Sequence, residues 1–447
     1  MLIKNREALA TTRLRKMALD IIEAGISRVL PSGIMKTTLS YDVAKRALTV
    51  KGDAYPLAKG RVFVIGGGKA SGLMAETLEK IIHPENVAAG VVNDKGKHYE
   101  TRKIKVITAG HPVPDQRGIS GVKEMLALKQ IYAIDENDIV ICLISGGGSA
   151  LMPCPIDEVS LEDKQKITGL LLASGAEIAE INAVRKHLSR IKGGQLGLYY
   201  APSTVISLIL SDVIGDDLAS IASGPTAPDP STFADAYEVL EGYNLLNKIP
   251  KSIVDFLQKG CRGEVAETPK TLNNCHNYLI GNNKLALEAM LEKAGEMGLA
   301  AHIVTSEQKG ETTAIARARA KEILNGKYSG YNAILIGGET TPKLPGAAGK
   351  GGRNQHYAAV SMLAMKQYPG DWVVASVGTD GSDFLPDVAG AIVDKNSFAK
   401  AKSGGLDMPS YLEGYDSNSL FKKIGDSLVM MGNTETNVGD VIVYLLS

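Results

Sequence analysis

The sequence predicts an α/β protein of two domains: a Rossmann-like first domain built on a largely parallel sheet, then a smaller α/β second domain. Three observations lead there. Residues 139–144 form an uncharged apolar run that empties into Ser145-Gly146-Gly147-Gly148-Ser149. Such a run suits a strand covered on both faces, and the glycines suit a turn towards a helix. The same arrangement occurs earlier, where residues 62–65 run into Gly66-Gly67-Gly68-Lys69. Beyond a polar stretch at 260–274, apolar strands and helical patterns begin to alternate again, which places the domains at 1–270 and 271–447.

Taken in order, residues 6–26 carry Leu9, Leu14, Met17, Ala18, Ile21 and Ile22 at helical spacing, an amphipathic helix that packs on a sheet. A strand at 45–50 precedes the Lys69 loop and its helix to about Ile82. Short strands follow at 88–92 and 104–108. Gly110-His111-Pro112-Val113-Pro114-Asp115 is stiff because proline fixes φ and restricts its predecessor. It reads as a rigid connector, or as a site wall with His111 facing ligand. Helices are expected at 161–175 and 177–188, the second carrying Arg185, Lys186 and His187 before Lys192-Gly193-Gly194. These basic residues form a solvated face unless the helix end points into a site. A strand at 204–210 and helices at 233–241 and 251–259 complete the first domain. The second continues with strands at 278–280, 300–305, 333–336 and 373–377, and closes with strands near 428 and at 441–446.

Composition bounds the function. The 447 residues are 44% hydrophobic and 22% charged, as in an ordinary globular protein. Lys+Arg and Asp+Glu balance at 49 each, which removes the general electrostatic case for nucleic acid or an anionic membrane. Four scattered cysteines form no C-x-x-C pair, so a reducing cytoplasm is expected. Charge appears too early for a secretory leader, and no apolar run approaches a membrane span.

The chemistry concentrates at strand ends. Glycines let backbone N–H groups approach an oxyanion, and a helix starting there adds its dipole. Gly66, Gly67 and Gly68, with Ser145, Gly146, Gly147, Gly148 and Ser149, are therefore candidate phosphate-binding residues, and Lys69 stands where its ammonium would sit over the anion. Two such loops in one sheet suggest a polyanionic ligand across the strand C-termini. Neither loop is a Walker A motif, and Gly66, Gly68 and Gly72 miss the dinucleotide spacing by one residue. Asp212 and Asp216 follow the 204–210 strand, where carboxylates could hold Mg²⁺ against phosphates or, at Asp216 or Asp217, cap a helix. Arg353, after Gly351-Gly352, has a planar fork suited to phosphate or carboxylate. Asp380, Asp383 and Asp387 make another acidic strand end.

Together, residues 66–71, 110–115, 145–151, 211–225, 351–355 and 378–383 resemble, in order, the glycerate 2-kinase family with a C-terminal MOFRL domain. The resemblance implies transfer of phosphate from ATP, with Mg²⁺, to the 2-hydroxyl of D-glycerate. Small-molecule substrates are then the partners, and assembly as a homo-oligomer stays open. The family's lysine after the triglycine matches Lys69, and its arginine in Gly-Gly-Arg-Asn-Gln matches Arg353; both are the expected catalytic residues. Two positions depart from the pattern: His356 stands where glutamate is usual, and Phe384 where glycine is usual. The alternative activities are hydroxypyruvate reduction and phosphorylation of another small hydroxy acid.

Overall fold

The computed structural model describes residues 1–447. The chain forms two compact units, one of Ile34–Ile280 and one joining Met1–Gly33 to Gly281–Ser447. This differs from a division at 270/271 in two respects. The N-terminal helix, Arg13–Arg28, packs Ala18, Leu19, Ile21, Ile22 and Ile26 into the core of the C-terminal unit. The strand at 275–281 completes the first sheet and does not open a second one. Amphipathic periodicity says that a helix packs on a sheet, but not on which sheet.

The 34–280 unit begins with a small antiparallel sheet, β1 (Leu39–Asp42), β2 (Ala47–Val50) and β3 (Asp53–Pro56). Six further strands follow: β4 (Val62–Gly67), β5 (Val87–Asp94), β6 (Ile104–Thr108), β7 (Ile139–Ile144), β8 (Thr204–Leu210) and β9 (Cys275–Gly281). They lie in the order β6-β5-β4-β7-β8-β9, and every pair from β6 to β8 is parallel. Among these six the order is third, second, first, fourth, fifth, sixth, which is that of a Rossmann sheet. The order reverses between β4 and β7, so the two triglycine loops leave the sheet at its switch point. Every residue of β4 and β7 is buried, as the absence of polar alternation in their sequences requires.

The second unit holds β10 (Ala301–Gln308), β11 (Ala333–Gly338), β12 (Trp372–Gly378), β13 (Val388–Asp394), β14 (Leu428–Met430) and β15 (Asp440–Leu446), ordered β10-β11-β15-β12-β13-β14. Only β10 and β11 are parallel; the other pairs are antiparallel. Strand β15 comes last in sequence but lies inside the sheet. Alternate residues serve opposite cores: Leu335, Val373 and Val443 face the N-terminal helix, while Ile334, Trp372, Val374 and Tyr444 face Tyr357 and Phe421.

Arg15 joins the N-terminal helix to this unit. Its side chain is fully buried. Nε donates to Asp394 Oδ2 (2.8 Å), Nη1 to the Asp426 carbonyl (2.6 Å) and Nη2 to Ser397 Oγ (2.7 Å). A buried ion pair broken on one side leaves a charge without compensation. Arg15→Met is expected to cost about 3 kcal/mol in urea unfolding, at the lower end of such losses because Asp394 still accepts from Ser397. A loss below about 1 kcal/mol would put the pair on the level of a surface salt bridge.

Candidate functional site

The two glycine loops interlock. The Lys69 N–H donates to the Gly146 carbonyl (2.8 Å), the Ala70 N–H to Ser145 Oγ (3.0 Å), and Ser71 Oγ to the Leu143 carbonyl (3.2 Å). Gly66 and Gly67 are the last residues of β4, where a side chain at Gly66 would overlap the Leu143 carbonyl and one at Gly67 would press on Met152. At Gly68 a Cβ would overlap Ser145 Oγ. These three glycines are therefore required by strand packing, whatever else they do. Gly66, Gly67, Gly68, Ser145, Gly146 and Gly148 are buried, while Lys69, Gly147 and Ser149 are half-buried and form the accessible part of the pair of loops. A Cβ at Gly147 would lie 2.9 Å from the His111 ring and 3.2 Å from Lys69 Cγ, so the glycine, the lysine and the histidine meet.

Two parts of the expected anion loop come out differently. The helix after the central triglycine, Gly148–Leu151, has only four residues and little dipole. At the start of the Ser71–Ile82 helix, buried Asp94 accepts the Gly72 N–H (2.9 Å), so a protein carboxylate holds the position intended for an external anion. Asp94 ends β5, beside β4, and its role depends on a strand pairing that local sequence does not specify.

Beside the loops lies a cavity of about 500 Å³ within the 34–280 unit. The rigid 111–114 segment lines it together with Gly147, Ser149 and Ala150, so His111 belongs to a site wall. Gln165 Nε2 donates to the Pro114 carbonyl (2.7 Å), and Asp115 caps the Gln116–Ile131 helix through the Gly118 N–H (3.0 Å), fixing both ends of that wall. Of the basic residues at 185–192, Arg185 and Lys192 line the cavity, joined by Lys164. Lys186 instead pairs with buried Asp229 (3.0 Å), and His187 with Glu267 (2.7 Å). Lys164 had one sequence signal: with Ile167 and Leu171 it falls on the buried stripe of its helix, an unusual place for a lysine. Lys192 Nζ donates to the Ser149 carbonyl (3.0 Å) and ties the 192–194 turn to the central loop.

Asp212 and Asp216 follow β8 and are half-buried. Neither Asp216 nor Asp217 caps a helix: the 3-10 turn that follows, Ile221–Ser223, has Ser220 at its N-cap, and Asp217 holds the preceding turn by accepting from Ser220 Oγ (2.6 Å) and the Ala219 N–H (3.2 Å). No group of three or more His, Cys, Asp or Glu side chains gathers anywhere for a metal. Asp212 and Asp216 both carry hard carboxylate oxygens of the kind Mg²⁺ takes.

In the other unit, Arg353 begins the Arg353–Ala364 helix, but its fork is engaged. Nε and Nη2 donate to the two Asp440 oxygens (2.6 and 3.0 Å), and Nη1 pairs with Glu339 (2.9 Å). Burial works against the charge, but the attraction and hydrogen bonds of Asp440 outweigh it and raise the guanidinium pKa. The expected open fork for substrate is thus closed by protein carboxylates. The same helix N-terminus is taken by Asp383, which accepts the N–H groups of Asn354 (3.0 Å) and Gln355 (2.8 Å). His356 is buried, stacked on Tyr415 with centroids 3.6 Å apart and hydrogen-bonded through Nε2 to Thr313 Oγ1 (3.0 Å). Phe384 is 83% exposed at a left-handed φ of 66°, a conformation that explains a family preference for glycine there.

Burial raises the Asp383 carboxyl to a pKa of about 6, against the lowering effect of the two N–H donors. The folded chain therefore holds a proton there that the unfolded chain releases near pH 4, and the stability this gives is present below pH 4 and lost as pH rises through 6. The difference in melting temperature between wild type and Asp383→Asn should accordingly shift by several degrees between pH 4 and pH 7, about 3 kcal/mol at most. A difference that stays flat over this range would mean that Asp383 titrates normally.

Comparison with known proteins agrees with this architecture. A family model described as a domain of unknown function, DUF4147, matches residues 17–258, and the MOFRL family model matches residues 332–440. A glycerate 2-kinase from Pyrococcus horikoshii is 40% identical, with 96% of this chain and 98% of that protein covered. A D-glycerate 2-kinase from Thermotoga maritima is 37% identical, with 97% and 98% covered. The crystal structure of a Thermotoga maritima glycerate kinase superimposes with a TM-score of 0.83 at 36% identity, covering 97% of this chain and 99% of that one. The chain belongs to the glycerate 2-kinase family with a C-terminal MOFRL domain.

Proposed function

We propose that this chain transfers the γ-phosphoryl group of ATP to the 2-hydroxyl of D-glycerate, giving 2-phosphoglycerate. The observation that carries the reading is the meeting of Lys69, Gly147 and His111 at the switch point of a Rossmann-ordered sheet, in a chain of this family. Phosphoryl transfer calls for positioning and charge neutralisation more than for covalent chemistry. Lys69 supplies a cation whose backbone is anchored to Gly146, and Gly147, against which Lys69 and His111 pack, lines the adjoining cavity. Asp212 and Asp216 are the residues we assign to holding Mg²⁺, which would supply charge neutralisation for the phosphates. Arg353 is the second catalytic candidate. It would reach a substrate oxyanion only by exchanging Glu339 or Asp440 for it, which gives Lys69 the first place.

Hydroxypyruvate reduction fits less well. A dinucleotide places its pyrophosphate on the N-terminus of the helix after the first strand. Here Asp94 accepts the Gly72 N–H at that helix, and like charge would repel the cofactor.

Lys69→Ala is expected to lower kcat/KM for D-glycerate at least about a hundredfold with the melting curve unchanged, on the order of 3 kcal/mol for one preorganised charge. Near-normal turnover would remove Lys69 from the reaction. Coupled assay of ADP release, with ³¹P NMR of the product, tests substrate and regiochemistry together.

Activity should vanish after exhaustive EDTA treatment and return with Mg²⁺, and Asp212→Asn or Asp216→Asn should raise the Mg²⁺ concentration for half-maximal rate about tenfold or more. Unchanged Mg²⁺ titrations in both variants would move the metal to other carboxylates.

A further inference from the structure

We propose that Lys164, Arg185 and Lys192 form an oxyanion pocket in the 34–280 unit, one that receives a carboxylate or phosphate group of the reaction's substrates. The three line one cavity of about 500 Å³ whose lining includes no aspartate or glutamate. Lys164 is 5% exposed, and its Nζ is buried without any hydrogen-bond partner. Lys192 is 1% exposed, and its Nζ meets only the carbonyl oxygens of Ser149 (3.0 Å) and Ala222 (3.5 Å). Half-buried Arg185 makes no ion pair to balance them.

Burying a cation is costly unless an anion or a full set of acceptors meets it. Burial, then repulsion by Arg185, depresses the Lys164 pKa to about 8. Burial lowers Arg185 too, and burial with the charges of Lys164 and Arg185 lowers Lys192 further. The third buried lysine of this unit, Lys186, is by contrast met by a carboxylate, that of Asp229. The positive charge in the cavity is left for something that enters it. Gly147 and Ser149 line the same cavity, so an anion held there lies next to the glycine loop.

The identity of the ligand rests on the kinase reading, whereas affinity for an oxyanion can be measured without turnover. The test is thermal unfolding and calorimetric titration of the full chain, as wild type, Lys164→Met and Arg185→Met, with inorganic phosphate, D-glycerate and ATP in separate arms. Lys164→Met, which removes a cation with no partner, should melt at or above wild type without ligand. Both variants should lose at least tenfold in affinity for inorganic phosphate. A matching loss confined to D-glycerate assigns the pocket to the substrate carboxylate, and one confined to ATP assigns it to the polyphosphate. Wild-type affinity of both variants in all three arms would overturn the proposal, as would a Lys164→Met melting point well below wild type, the mark of a structural lysine. Failure of the kinase reading looks different: wild type would release no ADP with D-glycerate while its phosphate titration remained intact.

Discussion

The close approach of β4 to β7 is the constraint on which the site depends. Their register runs from Val62 opposite Ile139 to Gly67 opposite Ile144, and at its C-terminal end the backbones come too near for side chains at Gly66 or Gly68. Ser145, Lys69 and Gly146 then lock the two loops by hydrogen bonds. An error of one residue in this register would turn every side chain of a doubly buried strand to the wrong face. The position of Lys69 beside Gly147 is therefore inherited from the core of the sheet, not from the loop alone. The rigid 111–114 wall, anchored at Pro114 and Asp115, gives the other side comparable precision.

Much of this was legible because the signals are local. Continuous apolar runs at 62–65 and 139–144 mark doubly covered strands, and glycines after them mark strand ends, so the Rossmann-like domain follows from sequence patterns alone. The helices expected at 161–175, 177–188, 233–241 and 251–259 appear at Leu161–Ala173, Ile178–His187, Phe233–Gly242 and Lys251–Cys261. Long-range choices were not legible. Whether the strand at 275–281 closes the first sheet, and which core the helix at 13–28 enters, are decided by complementary surfaces far apart in sequence. Strand β13 was missed because Gly390 interrupts it and only its pairing with β12 and β14 fixes it.

At the site, the same division holds. Lys69 was legible from its place after three glycines. The engaged state of Arg353 was not, since Asp440 lies 87 residues away and begins a strand whose place inside the sheet no local pattern announces. Asp94 and Asp383 were likewise hidden: each occupies a helix N-terminus that glycine-rich sequence alone would offer to a ligand. A Gly-rich strand end predicts a place for an anion, but the fold decides whether a side chain already supplies it.

That distinction separates two kinds of buried charge in this protein. Around Arg353 the guanidinium, Asp440 and Glu339 compensate one another, and such an arrangement can exist for the fold alone. Around Lys164 nothing compensates. A lysine displaced from 10.5 to about 8 carries a penalty of about 3 kcal/mol in its charged form at neutral pH. Left-handed φ angles at Ala222 (51°) and Ser223 (61°) beside the same loop add strain of about 1–3 kcal/mol each. Ser223 is held there by Ser149 (2.8 Å) and Asn182 (3.1 Å), and Ala222 by its carbonyl contact with Lys192. Domains of this kind are stable by only about 5–15 kcal/mol, so such costs need an offset. A sequence selected for folding alone would replace Lys164 with methionine and relax the turn. Persistence of the cation, the strain and the cavity in one place is what binding an anion there would require.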